Sequence, residues 1–561
     1  MRGQAQRFGA SFVANSGLTL IWGFIAILIA APLAAILYHA FVQGQPGSIR
    51  LTTDHITQVL SGAIYWNALR NTLVVAGGAA ILAGGLGATF AWIFVRTNTP
   101  LRSVLERASE MPIFIPPFVG AVAWVLLLAP RIGLLNRLLL RAGIAWQFDI
   151  STLTGMLCVI GIYLAPYVML IVAAALRGMD PSLEEAAQVC GLGIVAASIK
   201  VTFPLLAPAF TSGLVLAFTI AIGLFGTPIV LGWSHQILLL TSRIWISSQA
   251  VPPDYGVMAV LCFYLIGIAS IAAALQRRAL AGRSYTTITG RGFRSHLLEL
   301  GAWRWLTFTA AALYLIMTVL APVVVLLLAA MSTYTWSGVV LLRNLWNNLA
   351  SEDVWLTMRT SLIISVLSAT LATLAGTGIA WIVVRGRVWF RSFIEQFVLL
   401  PIAVPGIAFG VGVMLVWVGI PLPVYGTMLI IIFAFIGRFT AYAVRSISAS
   451  LVQVHPELEE SARIFGLGPL RAFLRITLPL ILPSIVAGWL LLFSFFITEL
   501  SIVILLYTAS TRTFSVLSFE VWNVGDFSRL ASLSLLQLVI GLLIASGIRI
   551  FLRPGIVQEP T

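Results

Sequence analysis

Long apolar runs separated by short polar or Pro/Gly-rich breaks dominate the chain. A helix crossing roughly 30 Å of hydrocarbon needs about 20 mainly apolar residues. Segments of that length lie near 18–42, 70–95, 111–130, 153–176, 206–232, 255–275, 305–331, 359–384, 396–419, 425–445, 481–507 and 531–551. Twelve membrane-spanning helices are therefore predicted. Composition points the same way: 60% of the 561 residues are hydrophobic and only 9% charged, a balance that soluble cores do not accommodate. The first run is too long for the apolar region of a secretory signal and no clear small-residue cleavage site follows it, so it reads as a retained helix.

A net charge of +14 could suggest nucleic acid, but the basic residues are scattered between apolar runs rather than gathered in a soluble basic domain with stacking aromatics. Membrane orientation accounts for them better. With a cytoplasmic N-terminus, 22 of the 33 basic residues fall on inside segments, 10 fall outside and Arg438 lies within a span. The positive-inside rule then predicts both termini cytoplasmic. Cys158, Cys190 and Cys262 show no spacing of a metal site or disulfide framework.

The chain repeats itself. Asn71 to Arg96 matches Thr360 to Arg385 at an offset of 289, which also places Pro112 on Pro401 and Pro116 on Pro405. Pro181 to Pro208 matches Pro456 to Pro483 at an offset of 275, so the first half holds 14 extra residues, expected near 130–150. An even number of spans per half makes the two halves parallel. The predicted architecture is all-α: two pseudo-twofold-related six-helix domains, residues 1–275 (core 70–275) and 305–561 (core 359–551), joined by a cytoplasmic linker at 276–304 that needs no fold of its own.

Between its fourth and fifth spans each half has a segment too polar for lipid yet patterned as a short amphipathic helix. In the first, Pro181 suits a helix start and Ser182 with Glu185 has capping-box spacing. Leu183, Ala186, Ala187 and Cys190 follow on one face, and Gly191 and Gly193 stop the helix. The second repeats this with Pro456, then Leu458, Ser461, Ala462 and Phe465, then Gly466 and Gly468. The carboxylate pairs Glu184–Glu185 and Glu459–Glu460 are expected on solvent-facing turns.

These segments resemble the signature of the membrane subunits of binding-protein-dependent ABC importers. One copy runs Glu185, Ala186, Ala187, Gly191, Val201, Phe203, Pro204; the other runs Glu460, Ser461, Ala462, Gly466, Ile476, Leu478, Pro479. The resemblance implies that each is a coupling helix seated in a groove of a cytoplasmic ATPase subunit, present in two copies. It also implies an extracytoplasmic binding protein that delivers the solute, docking on loops near 43–69, 130–152, 234–254, 332–358 and 508–530. A Walker A loop needs Gly-Lys followed by Ser or Thr, whereas the one lysine, Lys200, follows Ile199. The chain is thus expected to be no enzyme and to hold no cofactor, ATP and magnesium belonging to the partner subunits.

The fused two-half layout is most similar to the ferric-iron-type permeases, over about 60–550, although the acidic residue some members carry before a Phe-Gly-x-Pro stretch is absent before Phe225 to Pro228. Related permeases move thiamine, polyamines, phosphonates or sugar phosphates. Ionisable residues inside spans mark pathways or interhelical pairs, which singles out Glu499 and Arg438; at the place of Glu499 the first half has Gly223 and Leu224. The histidines 39, 55, 235, 296 and 455 are dispersed, so no metal site is predicted within the chain. An ion-coupled secondary transporter would share the twelve-span plan but leaves the paired segments unexplained. A membrane enzyme would need a nucleophile with a base, or paired carboxylates with a partner, and neither stands out.

Overall fold

The structure is a computed structural model and describes residues 2–43, 50–180, 182–193, 196, 198–280, 297–333, 341–386, 390–418, 420 and 423–551. In lipid, backbone N–H and C=O groups must be satisfied within the segment, and the apolar runs accordingly fold as helices. Ten are long and apolar enough to span a membrane, from Leu20–Phe41 to Phe527–Gly547.

With each bent helix pair taken as one span the count rises to as many as 13, in keeping with the predicted twelve; the third span of each half is such a pair. Instead of single crossings at 111–130 and 396–419, the chain forms bent pairs: Arg102–Phe114 with Pro117–Leu128 at 98°, and Arg391–Ala403 with Gly406–Val418 at 107°. Pro112 and Pro401 lie in short 3-10 turns at Met111–Phe114 and Leu400–Ala403, and Pro116 and Pro405 sit at the corners. Proline removes a donor and clashes with the preceding turn, so the chain turns there. A Pro117–Leu128 helix of 12 residues covers about 18 Å, a little over half of the hydrocarbon.

The fifth spans also differ from expectation. They end at Gly223 and Thr498 rather than continuing to 232 and 507, break, and resume as short helices at Gly226–Gly232 and Val503–Leu506. The segments expected as outside loops near 234–254 and 508–530 then turn back inward as Leu240–Ser248 and Phe514–Val524, with Leu240, Thr241, Ile244, Phe514, Leu517 and Phe519 buried. Helices this short fall below the length that marks a span.

Tight contacts explain several repeated residues. A Cβ on Gly87 would lie 2.6 Å from the Ala165 carbonyl oxygen, and one on Gly376 would lie 2.5 Å from Ala443 Cβ. These equivalent glycines let the second span of each half lie against the fourth. The first helix of each half packs across onto the other half. Arg2–Phe41 lies on Gly406–Val418, where a Cβ on Gly412 would meet the Pro32 carbonyl oxygen at 2.6 Å. The reciprocal helix, Gly301–Met331, places Tyr314 Oη as donor to the Ile162 carbonyl at 3.0 Å and joins Thr307 to Thr99 at 2.7 Å. The linker is not wholly without structure: Leu298 exchanges backbone hydrogen bonds with Arg96 and Asn98, while 281–296 lie outside the described residues.

Candidate functional site

The two amphipathic segments form helices at Ser182–Val189 and Glu457–Ile464. Pro181 and the side chains of Glu184 and Glu185 lie outside the described residues. The start of the first helix is held by Asp180, whose Oδ1 accepts from the Ser182 amide at 2.9 Å. Both helices end in the same way. Gly191 has φ +86° and Gly466 +87°. The next amide reaches back across the turn, Leu192 to the Ala187 carbonyl and Leu467 to the Ala462 carbonyl, each at 3.1 Å. This is a left-handed glycine cap that satisfies the last carbonyls. Gly193 and Gly468 lie outside the left-handed region.

Each segment then enters the next span through a π-turn, Ser198–Thr202 in one half and Phe473–Thr477 in the other, ending two residues before Pro204 and Pro479. A third π-turn, Ile316–Leu320, ends two residues before Pro322. Widening the turn accommodates the donor that proline lacks.

The two segments expose large as well as small residues. Ala462 is buried against the chain itself, whereas Ala186, Cys190, Glu460 and Ser461 are exposed and Ala187 is half-buried. Val189 and its equivalent Ile464 are 89% and 84% exposed, and Phe465 is 88% exposed. Both segments thus present bulky apolar side chains without an intramolecular cover. Glu459, expected on a solvent-facing turn, is buried: Thr477 Oγ1 donates to its Oε1 at 2.6 Å and Arg385 Nε lies 3.7 Å from the same oxygen.

Deep in the bundle the broken helices meet. A Cβ on Gly223 would touch Pro405 at 3.5 Å, and one on Gly226 would meet Leu500 and Phe118 at 3.2 Å. The breaks of opposite halves therefore bear directly on each other. Irregular backbone is tolerated at such depth only when buried in protein or lining a cavity. Glu499 sits in the second-half break, where its Oε1 accepts from the Ile502 amide at 3.1 Å, just ahead of the short helix that follows. The Arg438 guanidinium lies over Gly406, whose missing side chain makes room for it: a Cβ there would be 2.7 Å from Nη1. Arg438 Nε and Nη1 are shielded from solvent with no hydrogen-bond partner, and among the described residues Arg438 forms no ion pair with Glu499, although the two interact at longer range.

The first half answers this charged wall with an apolar one. Leu224 and Tyr163 occupy the positions of Glu499 and Arg438, and a small cavity runs along Pro112, Tyr163, Tyr167, Leu224 and Thr227. Tyr167 and its repeat partner Tyr442 come close enough across the interface to interact.

A further group escaped the sequence reading. On the side of the breaks away from the amphipathic segments, aromatic rings from both halves interlock: Trp233 with Trp522 at 6.3 Å, Trp245 with Phe519 at 5.4 Å, and Phe225 with Phe519 at 5.6 Å between ring centres. Such edge and tilted contacts are the favoured aromatic geometry. The signal available was the density of aromatics in segments taken for loops.

Among known proteins, the chain is 25% identical over 519 residues to the ferric transport system permease protein FbpB of Actinobacillus pleuropneumoniae, covering 90% of this chain and 73% of that one. It is 24% identical over 539 residues to the Fe(3+)-transport system permease protein FbpB 2 of Haemophilus influenzae, covering 95% and 97%. Among solved structures, the bacterial alginate ABC transporter in complex with alginate pentasaccharide-bound periplasmic protein matches with a TM-score of 0.38 at 17% identity, over 44% of this chain and 93% of that one. The family described as binding-protein-dependent transport system inner membrane component matches residues 80–334 and 370–553, so the chain belongs to that family.

Proposed function

We propose that this permease imports ferric iron handed over by an extracytoplasmic binding protein, driven by two copies of a cytoplasmic ATPase subunit seated on Ser182–Val189 and Glu457–Ile464. The observation that carries the ATPase partners is the matched geometry of the two segments: same glycine cap, same π-turn, and the same uncovered apolar residue at Val189 and Ile464. Two equivalent surfaces fit two copies of one partner. Iron is favoured by the names of relatives that align along nearly the whole chain; thiamine, a polyamine, a phosphonate or a sugar phosphate is the alternative cargo.

In this mechanism ATP closes the partner subunits, draws the two segments together and rocks the halves, parting the Gly223–Pro405 and Gly226–Leu500 contacts. Hydrolysis resets them. Both termini and the paired segments lie on the cytoplasmic side in this reading. Purification in detergent with candidate ATPase subunits tests it. The expected result is a stable complex with two ATPase copies whose hydrolysis rises when the binding protein carries iron. Stimulation by another loaded binding protein would reassign the cargo, and a chain that purifies without any ATPase would overturn the proposal.

A further inference from the structure

Arg385, at the C-terminal end of Glu352–Arg385, touches several elements at once. Its Nη2 donates to the Leu451 carbonyl at 3.1 Å and to the Val454 carbonyl, at the end of Met428–Gln453. Its Nε lies 3.7 Å from Glu459 Oε1, on the second amphipathic helix. The same Glu459 oxygen accepts from Thr477 Oγ1 at 2.6 Å, in the π-turn at the root of the helix that ends at Thr498, beside Glu499. The Arg385 and Glu459 side chains are only 13% and 9% exposed. One buried carboxylate thus ties the short helix to the second and fourth spans through Arg385 and to the fifth through Thr477.

The repeat supplies an independent observation. At the offset of 289 the counterpart of Arg385 is Arg96, and at 275 the counterparts of Glu459 and Thr477 are Glu184 and Thr202. All three residue types recur in the first half. Arg96 and Thr202 are buried there, at 2% and 1% exposure, Arg96 ending its helix and Thr202 closing its π-turn. A fully buried arginine is retained only where opposite charge or carbonyls meet it. The signature residues Glu460, Ser461 and Ala462 do not account for this set, because Glu459 precedes them.

We propose that Arg385, Glu459 and Thr477 are positioning residues that form a strut in the second half, making the amphipathic helix move as one body with the root of the helix leading to the central break. The inference rests on the ATPase-coupling function proposed above. Without the strut, motion of the short helix is absorbed at the glycine cap and the flexible turn, and ATP is hydrolysed without displacing the pore.

The test uses the full transporter, permease with ATPase subunits and binding protein, in proteoliposomes, and reads solute moved per ATP hydrolysed. Glu459→Gln removes the charge, Thr477→Val removes the donor while leaving both charges, and Thr477→Ser restores it. For Thr477→Val the expected result is a fall of about tenfold in solute per ATP, within the usual span of coupling energies, with ATPase binding and basal hydrolysis near wild type, and Glu459→Gln should lower the same ratio. Thr477→Ser should behave as wild type. Unchanged solute per ATP in Thr477→Val would overturn the strut. So would parallel losses of thermal stability, basal hydrolysis and transport that leave the ratio intact, since that is the pattern of a merely structural contact. A wild-type chain that binds no ATPase would instead overturn the underlying coupling function, and the strut with it.

Discussion

Gly191 and Gly466 are the positions where a single added methyl group isolates backbone conformation from packing. Their φ values of +86° and +87° lie in the left-handed region, and a Cβ at either would meet nothing within 4 Å. Alanine there costs only the left-handed backbone penalty, about 1–2 kcal/mol per site, and the two sites lie in different halves, so the double variant should lose about 2–4 kcal/mol from the capped state. That corresponds to roughly 30- to 700-fold in the population of correctly ended helices. Gly193→Ala with Gly468→Ala is the control: those glycines sit two residues further on, lie outside the left-handed region and also face open space. Hydrolysis stimulated by loaded binding protein, measured on purified complexes, should collapse for Gly191→Ala/Gly466→Ala and stay within twofold of wild type for the control. Membrane insertion, followed by expression level, should be unaffected in both. Equal stimulated activity in the two double variants would refute the role given to the caps.

Other expectations follow from the same contacts. Gly87→Ala drives a Cβ to 2.6 Å from the Ala165 carbonyl oxygen, whereas a Cβ on Gly77 meets nothing within 4 Å; a loss of about 1–3 kcal/mol is expected for the first in a thermal unfolding assay and none for Gly77→Ala. Phe519→Ala removes the ring that Phe118, Phe225, Trp245 and Trp522 share, a packing loss of about 3–5 kcal/mol; vesicles should then leak solute without ATP, and a tight vesicle would contradict a sealing role. Glu499→Gln deletes a carboxylate at the central break while retaining an acceptor for the Ile502 amide; transport should fall at least about tenfold with ATPase binding intact, and normal transport would remove Glu499 from the path.

Much of this was legible in the chain because the relevant signals are local. Ten apolar helices, the parallel repeat and the ends of the short helices at Gly191 and Gly466 follow from hydropathy, offsets and the conformational freedom of glycine. The prolines at 116 and 405 are visible as a repeat, but a window average runs through a corner, so the bends themselves have no hydropathy signal. The buried Glu459 was misplaced because a carboxylate on an amphipathic turn ordinarily faces water, and its partners Arg385 and Thr477 are distant in the chain or on the next element. The aromatic contacts between Trp245 and Phe519 and the crossing of the first helices onto opposite halves are tertiary facts with no local signature. Arg438 stood out as a charge within a span, but its seat over Gly406 depends on a corner of 107° that only the fold reveals.

The central claim is that ATP hydrolysed by partner subunits drives import through this chain, and uptake by sealed proteoliposomes tests it most directly. The chain, its ATPase subunits and ATP are enclosed, and iron-loaded binding protein is supplied outside. Iron accumulation that requires both internal ATP and the binding protein is the predicted result. Accumulation driven by an imposed ion gradient, with no ATP and no binding protein, would contradict the account and make the chain a secondary transporter.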